Sequence, residues 1–197
     1  MAELLGKPYD YFSTESATRR RTHSVPKVAS EQDAMNYVRQ AAIAVSNVSD
    51  DRVIEPPLYK DDIALLLPEF DPKHILIDRV TALDPCVSIE AVKTFTEDDL
   101  DLGPWYSGTT IVPAVMIIEA LSQASAICLL SLPLHRGRIA LSAGFNHTRF
   151  RKIVNYRDEV RLEAAITHRT RLIAHAAVVA SVSGEPVATG ECILAIS

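Results

Sequence analysis

The chain has 197 residues, of which 48% are hydrophobic and 23% charged, and its formal net charge at pH 7 is −5. This length and apolar content predict one main core, because chains of this size seldom divide into several domains. The mild acidity argues against nucleic-acid binding as the main function. Cys86, Cys128 and Cys192 lack the spacing of a zinc or redox site, so we expect no metal, buried reduced thiols and a cytoplasmic location.

The first 58 residues are predicted to form two segments outside the main domain. Residues 1–29 are polar, carry the basic triplet Arg19–Arg21 and have no apolar segment typical of a secretory signal, which predicts a flexible arm. Residues 30–58 are predicted to add one helix and a linker. Ser30 fits a helix N-cap, and apolar residues follow at helical spacing as far as Val48.

Residues 59–197 have the pattern of an α+β domain. A short helix is predicted at Asp61–Leu67, followed by strands in "HILIDRV" and "CVSIEAVKTF". A long apolar helix with Pro113 at its first position comes next. Four strand segments then follow, in "GRIALSAG", "DEVRLEAAITHR", "RLIAHAAVVASV" and "VATGECILAI". The order predicts an antiparallel sheet wrapped round one buried helix.

The apolar run at Ile111–Leu132 is long enough to cross a bilayer, but its polar residues argue against a membrane span. Glu119, Ser122, Gln123 and Ala126 recur at spacings that place them on one face of the helix. Such a polar stripe is either an internal hydrogen-bonded strut or the wall of a cavity. A carboxyl in apolar surroundings tends to have a raised pKa, which prepares it for proton transfer.

Four blocks of sequence carry a family resemblance. They are "LLLPEFDPKHILIDRVTALDP", "GTTIVPAVMIIEALSQ", "SAGFNHTRFRKIV" and "DEVRLEAAI". Together they resemble the bacterial 3-hydroxyacyl-acyl-carrier-protein dehydratases (FabZ/FabA-like) of the hot-dog fold, over about Tyr59 to Ser197. The resemblance implies a role in fatty acid or polyketide-type biosynthesis. The substrate would be an acyl thioester on the phosphopantetheine of acyl carrier protein, with no other cofactor.

The resemblance also implies a dimer, either a homodimer or a heterodimer with an active paralogue, with each active site between two subunits. In the family, a histidine in a Gly-His-Phe-Pro-Gly turn acts as the base, and a carboxylate on the helix of the other subunit assists loss of the hydroxyl. Glu119 falls on the carboxylate position. Trp105 stands where the histidine should be, and an indole N–H cannot accept a proton. We therefore expect a catalytically impaired protein.

Further site residues follow from the same resemblance. Substrate-binding positions are Trp105, Tyr106, Gly108, Ala114 and Gln123. The two aromatic side chains could instead simply fill the space of a former substrate.

A basic cluster made of Arg149, Arg151 and Lys152 corresponds to the docking surface for acyl carrier protein, although a solvated strand end is an alternative. His147 is a candidate for a relocated base.

Three functions fit the sequence. The first is an impaired dehydratase, or a partner subunit that completes an active one. The second is a double-bond isomerase in which Glu119 alone moves a proton between two carbons. The third is a thioesterase in which Glu119 directs water.

Overall fold

The computed structural model describes residues 54–99, 108–135 and 137–196. The predicted arm at residues 1–29 and the predicted helix from Ser30 to Val48 lie outside this part of the chain, which includes only the end of the predicted linker. The described elements are α1 (Lys60–Leu66), β1 (Arg79–Asp84), β2 (Ser88–Thr94), α2 (Ala114–Leu130), β3 (Ala140–Phe150), β4 (Glu159–Arg169), β5 (Ile173–Val182) and β6 (Glu185–Ile196). Single 3-10 turns occupy Pro72–His74, Glu97–Asp99 and Pro133–His135.

The six strands form one antiparallel sheet in the order β1-β2-β4-β5-β6-β3. β4, β5 and β6 are joined by tight turns and pair along nearly their whole length. β3 returns to the far side of β6, so it forms one edge of the sheet. Within the described chain, the other side of β3 has no strand partner.

The sheet wraps round α2, which packs against β2 through β6. Thirteen of its seventeen residues are buried, which explains why the helix is apolar on almost every side. The alternating inward residues of the strands complete the core, among them Val160 and Leu162 of β4 and Leu194 of β6. This is the architecture expected for a hot-dog fold.

Two predicted boundaries were wrong. "HILIDRV" was predicted as a strand, but β1 begins only at Arg79, because the N–H of Leu76 donates to the side chain of Gln123 and not to a neighbouring strand. Pro113 is the N-cap of α2 and not its first residue. No described helix has the length and apolarity needed to cross a membrane.

The three cysteines are free thiols. Cys128 and Cys192 are buried, and burial raises the pKa of the Cys128 thiol to about 12. Cys86 is only half-buried, in the turn between β1 and β2, so the prediction of three buried thiols was wrong for this residue.

Candidate active site

The start of α2 is held in place by the segment that follows β3. The N–H of Val112 donates to the carbonyl of Val154 at 2.8 Å, and the N–H of Tyr156 donates to the carbonyl of Thr110 at 2.7 Å. These two bonds, with one bridge at Ile111, form a short antiparallel pairing that sets where the helix begins. The chain therefore enters α2 from a braced segment and not from a free loop.

Gly108 is the first described residue before that segment. Its φ of +80° is in the left-handed region, which glycine adopts without strain. A Cβ at this position would meet no atom within 4 Å, so its conformation, and not a lack of space, explains the glycine. Trp105 and Tyr106 lie outside the described residues.

Two backbone N–H groups at the start of α2 make no hydrogen bond to another described residue. They belong to Ala114 and Val115, and Val115 is 59% exposed. Pro113 has no N–H, and the N–H of Met116 donates to the carbonyl of Pro113. Free N–H groups in the first turn of a helix carry the positive end of its dipole, so they suit an oxygen that bears negative charge.

Glu119 lies in the middle of α2 and is half-buried. Its carboxylate accepts a hydrogen bond from the Gln123 amide, with 3.0 Å between Oε1 and Nε2. Cys192 of β6 lies close enough that the negative charge of Glu119 adds to the effect of burial, which raises the pKa of the thiol to about 11. The carboxylate thus lies near enough to β6 to act on Cys192, and Gln123, one turn along the helix, sets its position.

Gln123 connects Glu119 to the rest of the fold. It is 1% exposed, and its Oε1 accepts from the N–H of Leu76 at 2.7 Å. Its Nε2 donates to the carbonyl of His74 at 3.0 Å as well as to Glu119. The polar stripe is therefore in part an internal hydrogen-bonded strut, which was one of the two alternatives that the sequence left open. The backbone of residues 74–76 was not predicted to reach this site, because its apolar pattern favoured a strand.

The predicted docking cluster lies on the surface, and its three cations differ in whether an acidic side chain pairs with them. Arg149 and Arg151 are exposed, and neither has an acidic partner within ion-pair distance among the described residues. Lys152, by contrast, is paired with Glu185 of β6. Phe150 lies between the two arginines in the sequence and Ile153 follows Lys152; they are 42% and 66% exposed. The surface thus offers two unneutralised arginines with apolar side chains beside them.

His147 lies on the outer side of the sheet. It is exposed and electrostatically coupled to Glu191, whose carboxylate accepts from the amide of Asn146. The next residue of β6, Cys192, points into the core towards α2, and successive side chains of a strand alternate between faces. Within one chain, the sheet therefore separates His147 from Glu119.

These features match one known family. The family model described as a FabA-like domain matches residues 70–191, which is more than half of the chain. This chain belongs to the FabA-like family. The match includes α2 with Glu119 and Gln123 as well as all or most of every strand.

FabA-like relatives support the same assignment. The chain is 36% identical over 136 residues to the 3-hydroxyacyl-[acyl-carrier-protein] dehydratase FabZ of Roseiflexus sp. (strain RS-1), covering 69% of this chain and 94% of that protein. The corresponding FabZ of Chloroflexus aggregans is 32% identical over 136 residues, with coverage of 69% and 94%.

Solved structures agree on the fold at low sequence identity. An HP0420 homologue from Helicobacter felis has a TM-score of 0.54 at 15% identity, covering 78% of this chain and 96% of its own. The dehydratase heterocomplex ApeI:P from Xenorhabdus doucetiae has a TM-score of 0.53 at 12% identity, with coverage of 73% and 91%.

Proposed function

We propose that this FabA-like protein binds 3-hydroxyacyl or enoyl thioesters carried by acyl carrier protein, and that alone it is a poor dehydratase. It would act as a partner subunit of an active dehydratase or as a binding subunit. The observation that carries this proposal is Glu119, a half-buried carboxylate of α2 that is oriented by Gln123. Family membership supports the substrate class.

Dehydration of a 3-hydroxyacyl thioester needs three groups. A base removes the α-proton, an acid protonates the departing hydroxyl, and hydrogen-bond donors stabilise the oxygen of the thioester as negative charge develops. The N–H groups of Ala114 and Val115 suit the last role, because they lie at the positive end of a helix and bond to no other residue that the structure describes. Glu119 suits the acid, because Gln123 donates to one oxygen and orients the other.

The base is the missing group. Trp105 replaces the family's histidine in sequence, and its indole N–H only donates. The loss of one acid-base partner costs about 10² to 10⁴ in rate. Glu119 cannot easily be acid and base in one turnover, so full activity requires a histidine from elsewhere. A second subunit is the natural source if the site lies between subunits, as in the family.

The edge of the sheet supports such an assembly. β3 is eleven residues long and has a strand neighbour on one side only among the described residues. Long unpaired edges are usually covered, because their free N–H and C=O groups pair with other strands. We propose that β3 pairs with the same edge of another FabA-like subunit. The ApeI:P dehydratase heterocomplex contains a chain of this fold and is a precedent for such a protein in a heterocomplex.

The test is hydration of a short enoyl thioester on acyl carrier protein, followed by loss of its enone absorbance. We expect the native chain to be nearly silent and Trp105→His to gain about 10² or more in rate. The matched variant Trp105→Phe should gain nothing, and the double variant with Glu119→Gln should lose the gain. Light scattering on the same preparations gives the oligomeric state.

Two results would contradict the proposal. If the native chain turns over quickly and Glu119→Gln abolishes this, the protein is not impaired, and a carboxylate-only reaction such as double-bond isomerisation replaces the proposal. If Trp105→His stays silent and no thioester binds to any variant, the protein has kept only the fold. Binding is measured separately, with a non-hydrolysable acyl-carrier-protein conjugate.

A further inference from the structure

A cavity lies beyond the C-terminal end of α2, away from the candidate active site. Its volume is about 410 Å³, and it is lined by His135, Arg138, Arg169, Thr170, Arg171 and Ile196. Leu130 ends α2 eleven positions after Glu119, which is about 16 Å along a helix that rises 1.5 Å per residue. The proposed thioester site therefore does not account for this cavity.

The turn between β4 and β5 holds two of the arginines rigidly. Arg169 and Arg171 flank Thr170, whose N–H donates to the carbonyl of Ile173 at 2.7 Å. The hydroxyl of Thr170 in turn accepts from the N–H groups of Leu172 and Ile173, at 3.3 and 3.0 Å. The two side chains therefore project from a braced turn, which reduces the entropy lost when they bind a ligand.

Two of the positive charges at this cavity, those of Arg169 and Arg171, have no acidic side chain beside them in the described part of the chain. Earlier in β4, Arg161 is paired with Glu90 at 2.7 Å and with Glu163 at 3.5 Å. The strand thus neutralises one arginine and leaves the arginine at its end without an acid.

The arginines also lie close enough to repel one another. Burial lowers the pKa of the Arg138 guanidinium, and the positive charges of Arg171 and Arg169 lower it further. Arg169 donates from Nη1 to the Sγ of Cys86 at 3.1 Å, a weak acceptor that leaves the rest of its guanidinium available. A protein tolerates such a cluster most readily where an anion offsets it.

The C-terminal end of α2 does not provide that anion. A helix end is equivalent to about half a negative charge, so the guanidiniums of Arg169 and Arg171 still leave about 1.5 positive charges. The last carbonyls of α2 are also occupied. His135 donates from Nδ1 to the carbonyl of Leu129 at 2.6 Å, and the N–H of Cys86 donates to the carbonyl of Cys128 at 2.9 Å.

We infer that this cavity binds a small organic phosphate with two or more negative charges, such as a phosphomonoester or a diphosphate. The planar guanidiniums of Arg169 and Arg171 pair with phosphoryl oxygens in the two-point geometry that arginine favours. A volume of about 410 Å³ is within the range of small-molecule pockets. A single carboxylate would offset only one of the charges.

The test is calorimetric titration of the full chain with inorganic pyrophosphate at about 0.15 M salt, where surface charges are largely screened. We expect saturable binding that weakens about tenfold or more in Arg169→Gln and in Arg171→Gln, because each loses charge-assisted hydrogen bonds. Arg161→Gln is the matched control. It removes an arginine from the same strand and should change the dissociation constant less than about twofold.

Three results would overturn the inference. They are the absence of saturable binding, an equal loss in Arg161→Gln, or citrate binding as tightly as pyrophosphate. Displacement of pyrophosphate by poly-glutamate would instead assign the surface to an acidic protein and would also overturn it. Arg169→Lys keeps the positive charge but loses the planar guanidinium with its paired N–H donors. It therefore separates two-point hydrogen bonding to phosphate from electrostatic attraction alone. The readout is binding at this cavity, so its failure leaves the thioester assay unaffected.

Discussion

Gln123 makes three hydrogen bonds at a position that is 1% exposed, and one of them orients Glu119. The other two join α2 to the backbone of residues 74–76, which is too irregular to be held by a strand ladder. At the scale of single residues, this amide therefore couples a candidate reacting group to the packing of the core. Its loss should affect both stability and the position of the carboxylate.

Gln123→Met tests the structural part of this role. The variant keeps the volume but leaves the buried N–H of Leu76 without an acceptor, and an unpaired buried group costs about 1 to 3 kcal/mol. We expect the free energy of unfolding, measured by urea denaturation, to fall by about 2 kcal/mol. Asn146→Ala, which removes an exposed amide, should change it by less than about 0.5 kcal/mol. If both variants lost the same free energy of unfolding, the hydrogen bonds of Gln123 would not stabilise the fold as we infer.

At the scale of secondary-structure elements, a buried ion pair fixes β2 and the turn after it. Lys93 is 5% exposed, and its Nζ lies 3.2 Å from Asp78 and 2.6 Å from Asp99. Asp99 also accepts from the N–H of Thr96 at 2.6 Å, and Asp78 accepts from the N–H of Thr94 at 2.7 Å. The network holds the end of β2 immediately before the segment that contains Trp105.

Lys93→Met should destabilise the protein by about 2 to 3 kcal/mol, because it leaves Asp78 and Asp99 without a cation. The loss is smaller than for a fully buried pair, since water reaches the side chain of Asp78, which is 39% exposed. Thermal and urea unfolding would measure the loss. Arg161→Met is the comparison, since it removes a cation that is 51% exposed and paired with Glu90. An exposed pair contributes about 1 kcal/mol at most. If the two variants lose the same stability, the network does not brace β2.

At the scale of the whole molecule, Glu69 makes stability depend on pH. It lies between α1 and β1, and neither of its buried carboxyl oxygens has a hydrogen-bond partner among the described residues. Burial raises the pKa of Glu69 from 4.5 to about 7, and the nearby N–H groups of Glu69 and Ala140 offset burial only in part. The native protein therefore holds this proton at pH values where the unfolded chain has released it.

The sign of the effect follows from proton binding. Between pH 4.5 and about 7 the native state binds the extra proton, so the free energy of unfolding falls as pH rises through this window. The difference between the two pKa values corresponds to about 3 kcal/mol, fully lost above pH 7. Below pH 4.5 both states hold the proton, and Glu69 contributes no pH dependence.

Glu69→Gln should remove this dependence. The neutral amide does not ionise, so we expect the variant to gain up to about 3 kcal/mol over the native chain at about pH 8 and almost nothing at about pH 4. Urea unfolding at a series of pH values gives both curves. Glu97→Gln removes an exposed carboxylate, so its curve of unfolding free energy against pH should be parallel to that of the native protein. If the curve of Glu69→Gln were also parallel to that of the native protein, the pKa of Glu69 would not be raised by the fold.

Much of this architecture could be predicted because each element has a simple pattern. The inward residues of β4 alternate with the period of a strand, and α2 is a long apolar run that begins just after Pro113; both elements occur where predicted. The segment at residues 74–76 was predicted wrongly because β-branched residues favour a strand locally. Gln123, 47 positions later, takes the N–H that a strand ladder would have used.

By itself, the sequence determined the fold class, the family and the presence of a carboxylate in an apolar helix, since these depend on local periodicity and on residue types in order. Only the tertiary structure decided which groups meet. It brought the Gln123 amide between Glu119 and the backbone of residues 74–76, buried the carboxyl oxygens of Glu69, and gathered Arg138, Arg169 and Arg171 round one cavity. These encounters join residues far apart in the chain, and no local pattern records which distant groups the folded sheet and helix place within hydrogen-bonding distance.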